Sequence, residues 1–236
     1  MNRLAFNLGE TIQVFRIGDT ANEKIAEKKE KIVQTYTFSI DQFNYIAAAN
    51  KPDMKAFFSF DKACCLDCPF SSNQGDAKCY THKYMQYSGF VSMIKSIIKE
   101  FGSVQNIPSF DQAKADKFIA KAAGKYVRFG SYGEPVLHPD SLVETLAKNA
   151  SSYTGYTHQW KKYENAGRFF MASTHNEDER KAANSRNYRA FVAVSESNAP
   201  DTKAMFCLSE KMSCSKCSLC SGTCGKGKAD VKIMQH

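Results

Sequence analysis

The feature that most constrains this chain is the placement of its nine cysteines. Cys214, Cys217, Cys220 and Cys224 share the run CSKCSLCSGTC, and Cys207 stands just before it. A second group lies far upstream, at Cys64, Cys65, Cys68 and Cys79. The N-terminus, MNRLAFNLGETIQ, shows neither the apolar stretch nor the small-residue cleavage site of a secretory signal. The expectation is a cytoplasmic protein whose thiols stay reduced. In that setting C-x-x-C spacings point to metal or iron–sulfur binding rather than to a disulfide framework. Inert buried cysteines have no reason to recur at ligand spacing.

Cys65-x-x-Cys68 places two thiolates on one tight turn, the geometry a tetrahedral metal or a cluster iron needs. The loop that follows brings back Cys79 as a third ligand. A cluster with three thiolates keeps one iron open, whereas Cys64 or His82 would close a zinc site. The downstream spacing C-x2-C-x2-C-x3-C is that of bacterial ferredoxins, with Gly225 where those have proline. Successive x2 gaps favour a [4Fe–4S] cluster, because zinc sites pair two knuckles across a longer arm. Cys207, Cys214, Cys217 and Cys220 are the expected ligands, with Cys224 in reserve. Zinc is the alternative at both groups.

A chain of 236 residues, 43% of them hydrophobic, can bury a sizeable core. No apolar run approaches the length of a membrane span. The net charge of +8 fits either a solvated basic surface or an anionic partner such as nucleic acid. One dense run, Glu23 to Lys31, mixes both signs. The chain has no P-loop, GxGxxG, HExxH or GxSxG segment, which leaves phosphate transfer, zinc proteolysis and serine hydrolysis without support.

Residues 1–55 read as an N-terminal extension, with a strand over 31–40 and a short helix capped by Asp41. KAFFSF (55–60) reads as a buried strand. Residues 84–101 carry Phe90, Ile94, Ile97 and Phe101 at helical spacing, with Gly102 as the cap. Capping boxes at Ser109 and Ser141 predict two further helices, and Asn176 with Glu179 a third. Strands are expected at 126–131, 152–160, 168–174, 188–195 and 203–209. This alternation predicts an α/β fold with parallel strands joined by crossovers. It takes the form of a partial or open β/α barrel over 56–206, with a C-terminal Cys-rich metal-binding segment over 207–236. In such folds ligands gather at the C-terminal strand ends. Both cysteine groups and the loops GSYGEP, YTHQW and STH follow expected strands.

GSYGEPVLHPD (130–140) combines Gly130 and Gly133, which admit close backbone approach, with prolines that stiffen the turn. Gly130, Gly133, Glu134, Tyr156 and His158 are therefore candidate cofactor-binding residues, each also compatible with a purely structural role. His175 carries the same ambiguity. Arg128 lies within a strand, and facing a barrel interior it needs an anionic partner.

GEPVLHPD directly after a strand resembles the cofactor-binding segment of radical S-adenosylmethionine (SAM) enzymes. The three-cysteine loop is similar to their cluster loop, although its spacing departs from CxxxCxxC, and Tyr80 matches the aromatic beside their last motif cysteine. The ordered set CxxCP…CY, RFGSYGEP, GYTHQW, FFMAST and CxxCxxC resembles a family of phage- and plasmid-encoded cysteine-rich proteins, distantly similar to the radical SAM fold. The resemblance implies a location in the host cell cytoplasm and one or two [4Fe–4S] clusters, with SAM at the first. A non-enzymatic zinc or Fe–S protein that binds host nucleic acid or a host protein is the other reading.

Overall fold

The computed structural model describes residues 2–74, 79–197 and 199–234. The chain is mixed α/β and carries two five-stranded sheets. Strands β1 (Arg3–Leu8) and β2 (Thr11–Gly18) form an antiparallel hairpin, turned at Gly9. β2 pairs antiparallel with β3 (Ile32–Ser39). Helices α1 (Ile40–Ala48), α2 (Met54–Ser59), α3 (Lys62–Cys65), α4 (Tyr84–Phe101) and α5 (Gln112–Ala122) follow. β4 (Tyr126–Tyr132) then pairs parallel with β3. After α6 (Asp140–Asn149), β5 (Ser152–Thr154) pairs parallel with β4 and completes the first sheet.

β6 (Tyr156–Thr157) opens the second sheet one residue later. β7 (Met171–Thr174), α7 (Glu177–Ser185), β8 (Ala190–Val194), β9 (Met205–Phe206), α8 (Cys214–Cys217) and β10 (Val231–Met234) complete the chain. The order is β6-β7-β8-β10-β9, all parallel. Gly155 bridges the sheets. Its N–H donates to the Cys220 carbonyl and its carbonyl accepts from the Met171 N–H.

β2 is buried on both faces because helices cover both. Ile12, Val14, Tyr36 and Phe38 pack against α1, α2 and α4. Phe15, Ile17, Val33, Val127 and Phe129 pack against α5 and α6. In the second sheet, Ala172, Ala190 and Val192 face α7, while Met171, Phe191 and Val231 face the C-terminal cysteines. Side-chain alternation along each strand separates these layers.

Several local expectations give way to tertiary context. KAFFSF is not a strand but helix α2, capped by Asp53, whose side chain accepts from the Ala56 N–H. It lacks β-branched residues, and the adjacent Phe57 and Phe58 bury against α4 instead of alternating. α1 is capped by Ser39, not Asp41, through a reciprocal capping box with Gln42. Asp111, rather than Ser109, caps α5. α6 begins at Asp140 after Pro139 without a side-chain cap. Residues 164–168 are 3₁₀ helix, so β7 is shorter than its sequence pattern. The N-terminal residues supply three strands of the first sheet, of which sequence patterning shows one.

Candidate metal centres and the strand-end site

The loop after β4 rests on a buried polar network. Neutral His138 donates through Nδ1 to Gln13 Oε1 (2.6 Å) and accepts at Nε2 from the Thr35 hydroxyl (2.7 Å). The Thr35 oxygen in turn accepts from the Gly130 N–H (2.9 Å), and Thr37 donates to Gln13 (3.0 Å). Burial holds the His138 pKa down, to about 3. A buried imidazole with both nitrogens engaged is rigid scaffold, and it fixes the approach of the loop.

Gly133 then makes the closest backbone contact of the site. Its φ is +72°, and a Cβ there would stand 2.4 Å from the Thr37 carbonyl oxygen and 3.1 Å from the Cys64 carbonyl oxygen. Only glycine admits this approach. The next amide, of Glu134, donates to that Cys64 carbonyl at 2.8 Å. The strand-end loop and the upstream cysteine loop therefore touch through backbone, and Gly133 and Glu134 lie beside the cysteines.

The buried Glu134 carboxylate accepts from the Thr157 hydroxyl (2.6 Å) and from the His158 N–H (3.1 Å). His158 Nδ1 lies 3.3 Å from Glu134 Oε1 and 3.4 Å from Cys68 Sγ. Burial disfavours a charged His158, but the Cys68 sulfur and the Glu134 carboxylate outweigh it and raise its pKa to about 10. Its Nε2 is buried and meets no hydrogen-bond partner among the described residues. Phe70, two residues past Cys68, sets its ring against those of His158 (5.8 Å) and His175 (4.9 Å). Among the described residues, Cys68, Glu134 and His158 are the trio whose ligand atoms all lie within 4.8 Å.

The other upstream cysteines are also largely buried, and Cys64, Cys65 and Cys68 share one core cluster. Cys64 points into the core, its thiol donating to the Asp61 carbonyl (3.2 Å) and standing 3.9 Å from Cys65 Sγ. The Cys64 contact and burial raise the Cys65 pKa well above its ordinary value, and Asp61 and Cys68 add to this. Burial raises Cys79 as well, with Cys68 and Asp61 acting in the same direction, while its Sγ meets the Thr81 hydroxyl at 3.0 Å. Cys68 is thus near both Cys65 and Cys79. Residues 75–78 of the intervening loop lie outside the described residues.

Downstream, Cys207, Cys214, Cys217 and Cys220 line one cleft with Thr154 and Met212. Burial pushes Cys220 up to about 12; a Tyr156 hydrogen bond opposes this, and the sulfurs of Cys207, Cys214 and Cys217 reinforce it. Tyr156 therefore faces this second group. Cys224 is exposed and meets Arg168 instead.

The two groups do not share one rim. Cys214 packs on Tyr126 at the start of β4, and its N–H donates to the Lys24 carbonyl. The upstream group begins within α3, at Cys64 and Cys65, and the loop beyond β4 meets it. Phe70, Thr157 and the Lys24–Ile25 backbone that anchors Cys214 and Ser215 carry no spacing signal in the sequence; only the fold brings them in. Comparison with family models, curated proteins and solved structures finds no match for the chain.

Proposed function

We propose that the chain is an iron–sulfur enzyme of the radical SAM type. Cys65, Cys68 and Cys79 would hold an open [4Fe–4S] cluster, and Cys207, Cys214, Cys217 and Cys220 an auxiliary one. The observation that carries this reading is the seating of Gly133 and Glu134 on the Cys64 carbonyl, which joins the GEP loop and the cysteine loop into one site. The run of parallel strands β3, β4, β5–β6, β7, β8 and β10 supports a partial barrel around it.

The donor sets fit these groups. The four downstream sulfurs line one cleft, a donor set of the kind a [4Fe–4S] cluster takes. Upstream, the Cys64 thiol donates to the Asp61 carbonyl, and on this reading it stays outside the cluster and leaves three cysteines for it.

A cluster held by Cys65, Cys68 and Cys79, once reduced by an external one-electron donor, would supply the electron for SAM cleavage. The chain's own residues set the surroundings. Glu134 fixes the backbone and ring of His158, Phe70 shields that ring from water, and the His138 network holds Gly130. Reduced thiols suit a cytoplasmic setting, in the host cell where the resemblance holds. No helix among the described residues is long and apolar enough to cross a membrane.

A second reading is favoured by the Cys68–Glu134–His158 trio, whose mixed donors suit a single zinc ion. The protein would then be a metal-stabilised binding module, its basic surface taking host nucleic acid or a host protein. Anaerobic purification followed by iron, zinc and sulfide analysis separates the two. Brown protein with stoichiometric iron and sulfide supports the enzyme; colourless protein with zinc alone overturns it.

A further inference from the structure

Arg128 stands on β4, six residues before Glu134 and two past Tyr126, which packs against Cys214, and its guanidinium reaches Tyr80, the neighbour of Cys79. Gln34 of β3 and Thr154 of β5 are its register neighbours, so three polar side chains form a row across three parallel strands. Its guanidinium donates to the Tyr80 hydroxyl (3.0 Å) and lies 5.9 Å from the centre of that ring. The other groups that act on it electrostatically are Tyr126, Tyr156 and Cys214. No carboxylate among the described residues pairs with it, although Arg3, Arg168 and Arg180 each have one. Tyr80 engages one of the five guanidinium donors, and Arg128 shows no other hydrogen bond among the described residues.

A half-buried guanidinium whose one hydrogen-bonding neighbour among the described residues is a phenol is poorly compensated. Its planar fork matches a carboxylate or phosphate through two parallel hydrogen bonds. Thiolate-ligated centres on either side would repel an anion, so a fixed cation is what could hold one there. We propose that Arg128 binds the oxyanion, carboxylate or phosphate, of the substrate on the sheet face between the two cysteine sites. This rests on the enzyme reading and names its substrate class. The Tyr80 ring forms one wall, and Gln34 and Thr154, which already hydrogen-bond to Ser131 and Tyr126, border the site.

The test is calorimetric titration of the metal-loaded protein with inorganic phosphate and, separately, with acetate. Saturable binding of one or both is expected, weakened about tenfold or more in Arg128→Gln and less in Arg128→Lys. The anion that binds more tightly identifies the oxyanion. In the unaltered protein, that anion should shield Arg128 from phenylglyoxal, read by peptide mass spectrometry; this needs no variant to fold. Absence of binding, equal binding by Arg128→Gln, or labelling unaffected by the anion would overturn the proposal. So would Arg128→Gln that binds the anion normally but loses metal, because the guanidinium would then be the counter-charge of the Cys214 centre. Metal analysis of the same samples keeps the two readings apart. A zinc-only protein that binds phosphate through Arg128 refutes the cluster and keeps the anion site, and a clustered protein that binds no anion does the reverse.

Discussion

The two cysteine groups differ in what surrounds them. The downstream four share a cleft walled by Thr154, Met212 and the Tyr156 hydroxyl, with no carboxylate or imidazole in its lining. Upstream, Cys68 stands beside Glu134 and His158, and the neighbouring Cys64 carbonyl accepts from the Glu134 N–H of a glycine-bearing strand-end loop. A set of four thiols satisfies a metal centre completely, and such a centre stabilises the fold. A set of three, flanked by polar groups that the fold itself holds in place, leaves a coordination position for chemistry. On the proposed reading the same residue type would serve two ends according to what the sheet presents to it.

The sharpest way to break this contrast is to remove one ligand of the closed site. Cys217→Ser should lose one metal centre and on the order of 5 kcal/mol or more of stability, since metal binding there is coupled to folding. Metal analysis and thermal melting check it; Cys224→Ser, at an exposed position outside the cleft, should leave both unchanged.

Acid should act mainly on the scaffold under the open site. His138 has a folded pKa of about 3 against 6.5 for the free side chain, so the unfolded chain binds the extra proton. Its contribution is fully present above about pH 6.5 and is lost as pH falls toward 3. At about 1.4 kcal/mol per pH unit the whole loss approaches ~5 kcal/mol. Denaturant melts across that range should show the slope, and His138→Gln should flatten it.

Gly133→Ala forces a side chain into positive φ and against the Thr37 and Cys64 carbonyls. A cost of about 3 kcal/mol is expected, together with loss of metal from the upstream site only. The smallest effect belongs to Cys64→Ser. That residue is buried but hydrogen-bonds as a thiol, so about 1 kcal/mol of stability should go while both metal centres stay. Loss of the upstream metal in this variant would make Cys64 a ligand and erase the contrast.

Much of the fold is legible in the sequence because periodicity reports burial. α4 spans the 84–101 expected for it, and β4 and α7 fall close to their patterns, since each lays one apolar face on one layer. KAFFSF fails because a short apolar run does not tell a buried helix from a strand. β2 escapes because helices cover both its faces, which hides the alternation, whereas β1 alternates but is only six residues long. At the sites, cysteine spacing marks Cys214, Cys217 and Cys220 but also Cys224, which lies outside the cleft, while strand-end position marks Cys207 and, in GEP, Glu134. The assignment of Tyr156 to the downstream group and of His158 to the upstream one is not legible. They are two residues apart, and only the path of the chain through β6 into the following turn separates their surroundings.

The central claim is that the upstream centre is open and the downstream one closed. The most direct measurement is the electron paramagnetic resonance spectrum of the reduced, anaerobic protein before and after addition of SAM, in the native chain and in Cys217→Ser. The account predicts two overlapping cluster signals in the native protein, one of which shifts with SAM. In Cys217→Ser it predicts a single remaining signal that still shifts. A full complement of cluster in the native protein with neither signal responding to SAM would contradict it.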